Sequence, residues 1–187
     1  MFDRSAMKKF FEIAMAAVQR EDQLLRGHCA CACGYHHGIG HVEERTFMHL
    51  ILRALIKSRF KYKVRLEQPY PNDPSSKADL VLLREGQQQW AACVEAKLLD
   101  SHETMNLARQ DMQWMRDRLL PDVGKFLLAF WARRNLDDVC RWLVELNNEP
   151  NVDLVSTDTF VTSWCVEEEG NFTLQPVDAG LTLFEVL

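Results

Sequence analysis

Glycine and proline are scarce in this chain, eight and six among 187 residues, which excludes collagenous and proline-rich disordered classes. Long apolar runs are lacking. Stretches such as Phe126 to Ala132 are the longest, well short of the roughly 20 residues a bilayer-spanning helix needs. No membrane partner is therefore expected. There is no excess of positive charge. The formal net charge is −5, which weighs against a tight, non-specific binder of polyanions, although bound cations can return local positive charge to an acidic site. A disulfide framework is also missing. Of six cysteines, Cys29, Cys31 and Cys33 crowd one stretch, and Cys93, Cys140 and Cys165 lie singly in apolar surroundings. The amino-terminal MFDRSAMKKFFEIAMAAVQRED has the superficial look of a signal peptide. Asp3 in its basic region and an apolar face recurring at helical spacing predict instead an amphipathic helix of a cytoplasmic protein.

What is present is an ordinary globular balance, 47% hydrophobic and 26% charged, in a length that suits a single domain over residues 1–187. Helical periodicity runs from Ser5 to about Leu25 and again from about His41 to Arg59. Tyr62, Val64 and Leu66 alternate with Lys63 and Arg65 as a half-buried strand, and PYPNDPSS, dense in turn formers, predicts a loop. ADLVLLR (78–84) and WAACVEAKL (90–98) predict two strands joined by a turn containing Glu85 and Gly86; the second is apolar enough to be buried on both faces. A helix follows from Glu103 to Leu120, stopped by Pro121, then a strand from Lys125 to Ala132 and a helix from Leu136 to Leu146 with Asn135 as its N-cap. VDLVS, FVTSWCVEE, NFTLQPV and LTLFEVL predict four short strands, with Glu169 and Gly170 at a hairpin turn. No internal repeat or linker interrupts this order. The class is mixed α/β: a central sheet flanked by helices, an amino-terminal helix and loop over 1–40, a core over 41–132, and a helix with β-rich extension over 133–187.

Two acids and a lysine carry the chemistry. Asp79 stands near the start of one predicted strand. Glu95 and Lys97 stand two apart on the next, so they project from one face, and a hairpin can bring all three heads together. Charge in so apolar a strand is costly without partners. Phosphodiester hydrolysis needs this set. Asp79 and Glu95 can hold Mg2+ or Mn2+ through hard oxygen ligands, and Lys97 can stabilise hydroxide or the charge developing on phosphorus. The plainer reading is a strand-to-strand ion pair, worth under about 1 kcal/mol when exposed.

The segment KADLVLLREGQQQWAACVEAKLL resembles the core hairpin of the PD-(D/E)xK nuclease superfamily, with its restriction-endonuclease-like fold. Asp79 matches that family's first acid, Glu95 its second and Lys97 its lysine; Ala78 stands where the family often has proline. The family's α-β-β-β-α-β core matches the order read from His41 to Ala132, roughly half of the chain. The resemblance implies a divalent-metal-dependent endo- or exonuclease acting on nucleic acid, DNA first. Members also tend to carry a glutamate on the preceding helix. VEERTFMHLIL resembles the Glu-Arg pair of archaeal Holliday-junction resolvases, which favours Glu44 over Glu43 as a further catalytic and metal-binding acid; periodicity alone does not choose between them. The plainer role for both is stabilising the helix N-terminus. Gln110, four residues before Trp114, is a weaker match to a glutamine of the RecB-like branch.

Lys57, Arg59, Lys61, Lys63 and Arg65 crowd one segment, and Arg133 and Arg134 another; those lining the cleft would contact nucleic acid. His28, Cys29, Cys31, Cys33, His36, His37 and His41 invite a Zn2+ hypothesis, but structural zinc favours ligand pairs two to four apart, and alternating CACAC spreads its side chains. The last forty residues offer an edge for a homodimer. The competing function is a catalytically inactive protein of nuclease fold that acts as a binding or scaffold module.

Overall fold

The computed structural model describes residues 3–28, 43–84, 86, 88–132, 136–168 and 171–187. Four helices and six strands occur among them. In chain order they are α1 (Arg4–His28), α2 (Glu44–Lys57), β1 (Lys63–Tyr70), β2 (Asp73–Leu83), β3 (Trp90–Leu99), α3 (His102–Arg118), β4 (Gly124–Ala132), α4 (Leu136–Asn147), β5 (Val152–Glu168) and β6 (Asn171–Val186). The strands form one mixed sheet in the order β1-β2-β3-β4-β6-β5. β1, β2 and β3 form an antiparallel meander, whereas β3 and β4 pair in parallel. A parallel pair needs a crossover, and α3 supplies it. β6 closes antiparallel on the far side of β4, and β5 pairs with β6.

β3 and β4 take the middle of the sheet because their residues are apolar on both faces. One face packs under α1 and α2. Met7, Phe10, Phe11, Ala14, Met15 and Val18 of α1 are buried against it, as helical spacing requires. Phe10 is wholly buried, which is worth about 2 kcal/mol. The other face packs under α3 and α4 through Met105, Met112, Met115, Val139, Trp142 and Leu146. α3 starts with a capping box, in which the Ser101 hydroxyl accepts from the Thr104 N–H.

Two expectations need correction. PYPNDPSS is not a free loop: β1 runs on to Tyr70 and β2 begins at Asp73. β1 is an edge strand, where Pro69 removes no ladder bond on its open side. The extra residues of β2 are taken up in a bulge, its register shifting between Pro69 and Tyr70. The Asp73 carboxylate staples that bulge, accepting from the Ser75 N–H at 3.2 Å and the Ser76 hydroxyl at 2.9 Å. The carboxy-terminal strands are not four but two, paired from Val152–Val186 to Glu168–Asn171. β6 runs unbroken through Pro176, which pairs with Ser163 of β5. Asn135, Glu169 and Gly170 lie outside the described residues, as does Glu85. No helix among the described residues is long and apolar enough to cross a membrane.

Candidate active site

The site forms where β2 and β3 fork. Their ladder stops at Leu80–Val94, one pair short of Asp79 and Glu95. Beyond that point the N–H groups of β3 that face β2 lose their strand partner, and buried N–H groups must find acceptors. Acidic side chains supply them. Asp79 Oδ2 accepts from the Ala96 N–H at 2.8 Å, and Glu44 Oε2 accepts from the Leu98 N–H at 3.0 Å. The Asp79 N–H in turn donates to Glu95 Oε2 at 3.4 Å. The fork therefore gathers Asp79, Glu95 and Glu44, carried on two strands and the first turn of α2.

Glu95 is only 6% exposed, and the Asp79 carboxyl lies against its own. Burial first, and the neighbouring Asp79 charge second, hold the Glu95 carboxyl well above the usual carboxylate range. Burial also raises Glu44 and Asp111, against the pull of Lys97. Two carboxylates pressed together in a low-dielectric setting suit a hard cation, which would relieve their repulsion. With waters completing the shell, such a pair is enough for Mg2+ or Mn2+. Among the described residues no group of three or more His, Cys, Asp and Glu side chains is already drawn in around one metal position.

Lys97 lies on the same strand face as Glu95. Its amine is 3.0 Å from Asp111 of α3 and 3.8 Å from Glu44 of α2, so acids from two helices hold it. Burial alone would lower its pKa, but Asp111 and then Glu44 outweigh it and the net shift is upward. Lys97 is thus kept as an ammonium. A narrow pocket beside it is lined by Glu44, Phe47, Met48, Ala96 and Phe130.

Two residues of this site were missed in the sequence. Asp111 follows Gln110, but it is Asp111 that reaches Lys97, while Gln110 is exposed. Spacing could have found it: Asp111 follows Ala108 by three residues and precedes Met115 by four, on the inward side of α3. Tyr70 donates its hydroxyl to Glu95 Oε1. It was hidden inside the segment read as a loop. Val64 and Leu66 pack toward α1 and α2, and strict alternation would send Tyr70 the same way. Instead it joins the α3 side. Glu67, with φ of 50°, and the bulge after Pro69 turn the strand over between them.

The other candidates stand apart. Glu43 is an exposed N-cap whose side chain makes no capping bond, so Glu44 is the acid at the fork. Lys57, Arg59 and Lys61 lie at or beyond the far end of α2 from Glu44, about 20 Å along its axis. Lys61 pairs there with Asp3. Lys63 pairs with Leu83, well along the sheet from Asp79, whereas Arg65 pairs with Val81, two residues from Asp79. Arg45 and Lys77 also lie beside the fork, 3.0 and 4.0 Å from Glu67. Arg133, Arg134 and the segment Cys29 to His41 lie outside the described residues, and with them the zinc hypothesis. A larger hollow, between Pro71, Arg84, Gln89, Trp90 and Arg118, contains none of the acids. No family model matches this chain, and no curated protein matches it.

Proposed function

We propose that this protein is a divalent-metal-dependent nuclease of PD-(D/E)xK type, hydrolysing phosphodiester bonds in DNA, with residues 44–132 as its restriction-endonuclease-like core. One observation carries the reading: the Asp79 and Glu95 carboxyls meet where the β2–β3 ladder ends, with Lys97 on the same strand face. The chain order α2-β1-β2-β3-α3-β4, with β3 and β4 in parallel, supports it.

Asp79 and Glu95 would hold the cation, with Glu44 beside them. A bound Mg2+ or Mn2+ supplies a Lewis acid and lowers the pKa of a coordinated water. Lys97 donates to the negative charge that grows on the phosphoryl group, an interaction strongest in the transition state. Asp111 and Glu44 keep that ammonium charged and aimed. Arg45 and Lys77, exposed at the rim, attract the phosphate backbone against the net negative charge of the chain. Exchanging both for Gln should weaken DNA binding for all sequences alike and flatten its salt dependence.

The test is titration of Mn2+ by calorimetry, followed by cleavage assays on plasmid, single-stranded and branched DNA. Stoichiometric binding and metal-dependent cutting, both lost in Asp79→Asn, are expected. A parent protein that binds no metal and cuts nothing ends the reading. The second reading, an inactive binding module, draws support from the same hydrogen bonds. Asp79 and Glu44 already serve β3 as acceptors for its open edge, a job that needs no catalysis. Metal binding separates the two.

A further inference from the structure

We propose that Tyr70 is a positioning residue for Glu95, fixing which carboxylate oxygen is offered to the cation. The inference rests on the nuclease reading above.

Glu95 has two oxygens with different neighbours. Oε1 accepts the Tyr70 hydroxyl, and Oε2 faces the Asp79 N–H. The phenol therefore engages one oxygen and leaves the other turned toward the Asp79 side. A carboxylate on a two-torsion stem, pressed against a second carboxylate, has no reason of its own to hold that orientation. Repulsion would turn it away, or a shared proton would lock the pair together. The phenol opposes that turning by giving Oε1 a fixed donor.

Tyr70 is itself held firmly enough to serve. It is 2% exposed. Its ring lies 5.7 Å from that of Trp90, and the Arg118 guanidinium covers it at 6.0 Å. Arg118 is anchored to Asp73 at 2.6 Å, and Asp73 staples the bulge that turns Tyr70 inward. A chain of contacts thus runs from the β1–β2 bulge to one oxygen of Glu95. Regular pairing would have sent this side chain to the opposite face, so the irregular strand end delivers the phenol to the site. Buried polar partners of metal ligands fix ligand orientation in this way, and their loss costs about 10- to 100-fold in metal affinity or activity.

Tyr70→Phe is the variant of choice, since Phe keeps the ring and its packing between Trp90 and Arg118. Mn2+ affinity is measured by calorimetry, kcat and KM on the best DNA substrate, and melting temperature with and without Mn2+. We expect Mn2+ binding weakened about 10-fold or more, kcat lowered with KM for DNA nearly unchanged, and a smaller Mn2+-induced rise in melting temperature. A purely structural tyrosine would lower both melting temperatures alike and leave Mn2+ affinity intact; that outcome overturns the proposal. If the parent binds Mn2+ and cuts DNA but Tyr70→Phe matches it, the proposal alone falls. If the parent does neither, the nuclease reading falls and takes the proposal with it.

Discussion

Asp79 and Glu95 are tied to each other's strands. The Asp79 N–H points at Glu95 Oε2 at 3.4 Å, while Asp79 Oδ2 takes the N–H of Ala96, the residue after Glu95, at 2.8 Å. Each acid thereby finishes a ladder that the backbone leaves incomplete, and the two carboxyls are forced into one place. That arrangement costs stability unless something positive arrives.

Glu95→Gln should therefore act in opposite directions with and without metal. It removes a buried acid whose ionisation burial and Asp79 oppose, so the metal-free protein should gain about 1 kcal/mol at neutral pH. The Mn2+-dependent rise in melting temperature should vanish, along with cleavage. Thermal melts of parent and variant at several Mn2+ concentrations give the answer; a variant that still gains stability from Mn2+ contradicts the assignment.

Lys97→Ala distinguishes an active site from a metal-binding fold. The lysine does not ligate the ion, so Mn2+ affinity should hold or rise slightly as a nearby positive charge is lost. Cleavage should fall about 100-fold or more. The metal-free protein should lose roughly 3 kcal/mol, because Asp111 is left half-buried beside Glu44 with its ion-pair partner gone. A variant that cuts like the parent rules out this mechanism.

Asp111→Asn should show that Lys97 is aimed rather than merely present. Lys97 would keep only Glu44, at 3.8 Å, and its ammonium would wander. Cleavage should drop about 10-fold, less than for Lys97→Ala. Combined with Lys97→Ala it should add little, since both changes act through the same group. Additive losses in the double variant would show that Asp111 acts independently.

Stability should fall as pH rises in the metal-free protein. Glu95, Glu44 and Asp111 all sit above the usual carboxylate range, chiefly through burial. Between about pH 4 and their raised values the folded form holds protons that the unfolded chain releases, so each step up in pH favours unfolding. Mn2+ should flatten that slope. Asp3 works in the other sense. Lys61, Ser5 and their hydrogen bonds lower it to about 2, and what it contributes is present above its ordinary value and lost as pH falls toward 2. Melting temperatures from pH 3 to 8 should peak on the acid side without metal. A metal-free curve rising steadily to pH 8 is incompatible with the carboxyl cluster described.

Gly180→Ala should destabilise the sheet away from the site. A methyl group there would sit 2.5 Å from the Asp158 carbonyl oxygen and 2.5 Å from the Trp131 ring, which is pinned by its N–H to the Thr182 hydroxyl at 3.3 Å. Neither backbone nor pinned indole can give way, so a loss of about 2 kcal/mol or more is expected. Urea denaturation measures it, and Mn2+ affinity should stay at the parental value.

Much of this was legible in the residues. β3 could be read because WAACVEAKLL is apolar but for Glu95 and Lys97, and charge in a buried strand signals a partnered site. α1 and α3 followed from periodicity alone. Tyr70 could not be read, because its place depends on a positive φ at Glu67 and a register shift after Pro69, and neither leaves a mark in a two-residue repeat. Asp111 is a different case: its spacing was visible, but nothing local says that a lysine on another element waits for it. β5 and β6 read as four strands because 157–159 and 178–180 interrupt the apolar runs, whereas in the sheet Thr157, Asp158 and Thr159 pair with Thr182, Leu181 and Gly180.

The pairing of β4 with β6 also shapes how the chain reaches its native state. The hairpins β1–β2 and β2–β3 join nearby residues, whereas Phe126 must wait for Glu185, almost sixty residues later. Contacts that distant form late. Until residues 179–186 have been synthesised, GKFLLAFWA presents one bare edge of apolar backbone, the profile of an aggregation-prone segment. Chains released before that point should stick to one another rather than remain as half-built monomers. The last strand to arrive guards a centre whose acids and lysine all lie on other elements.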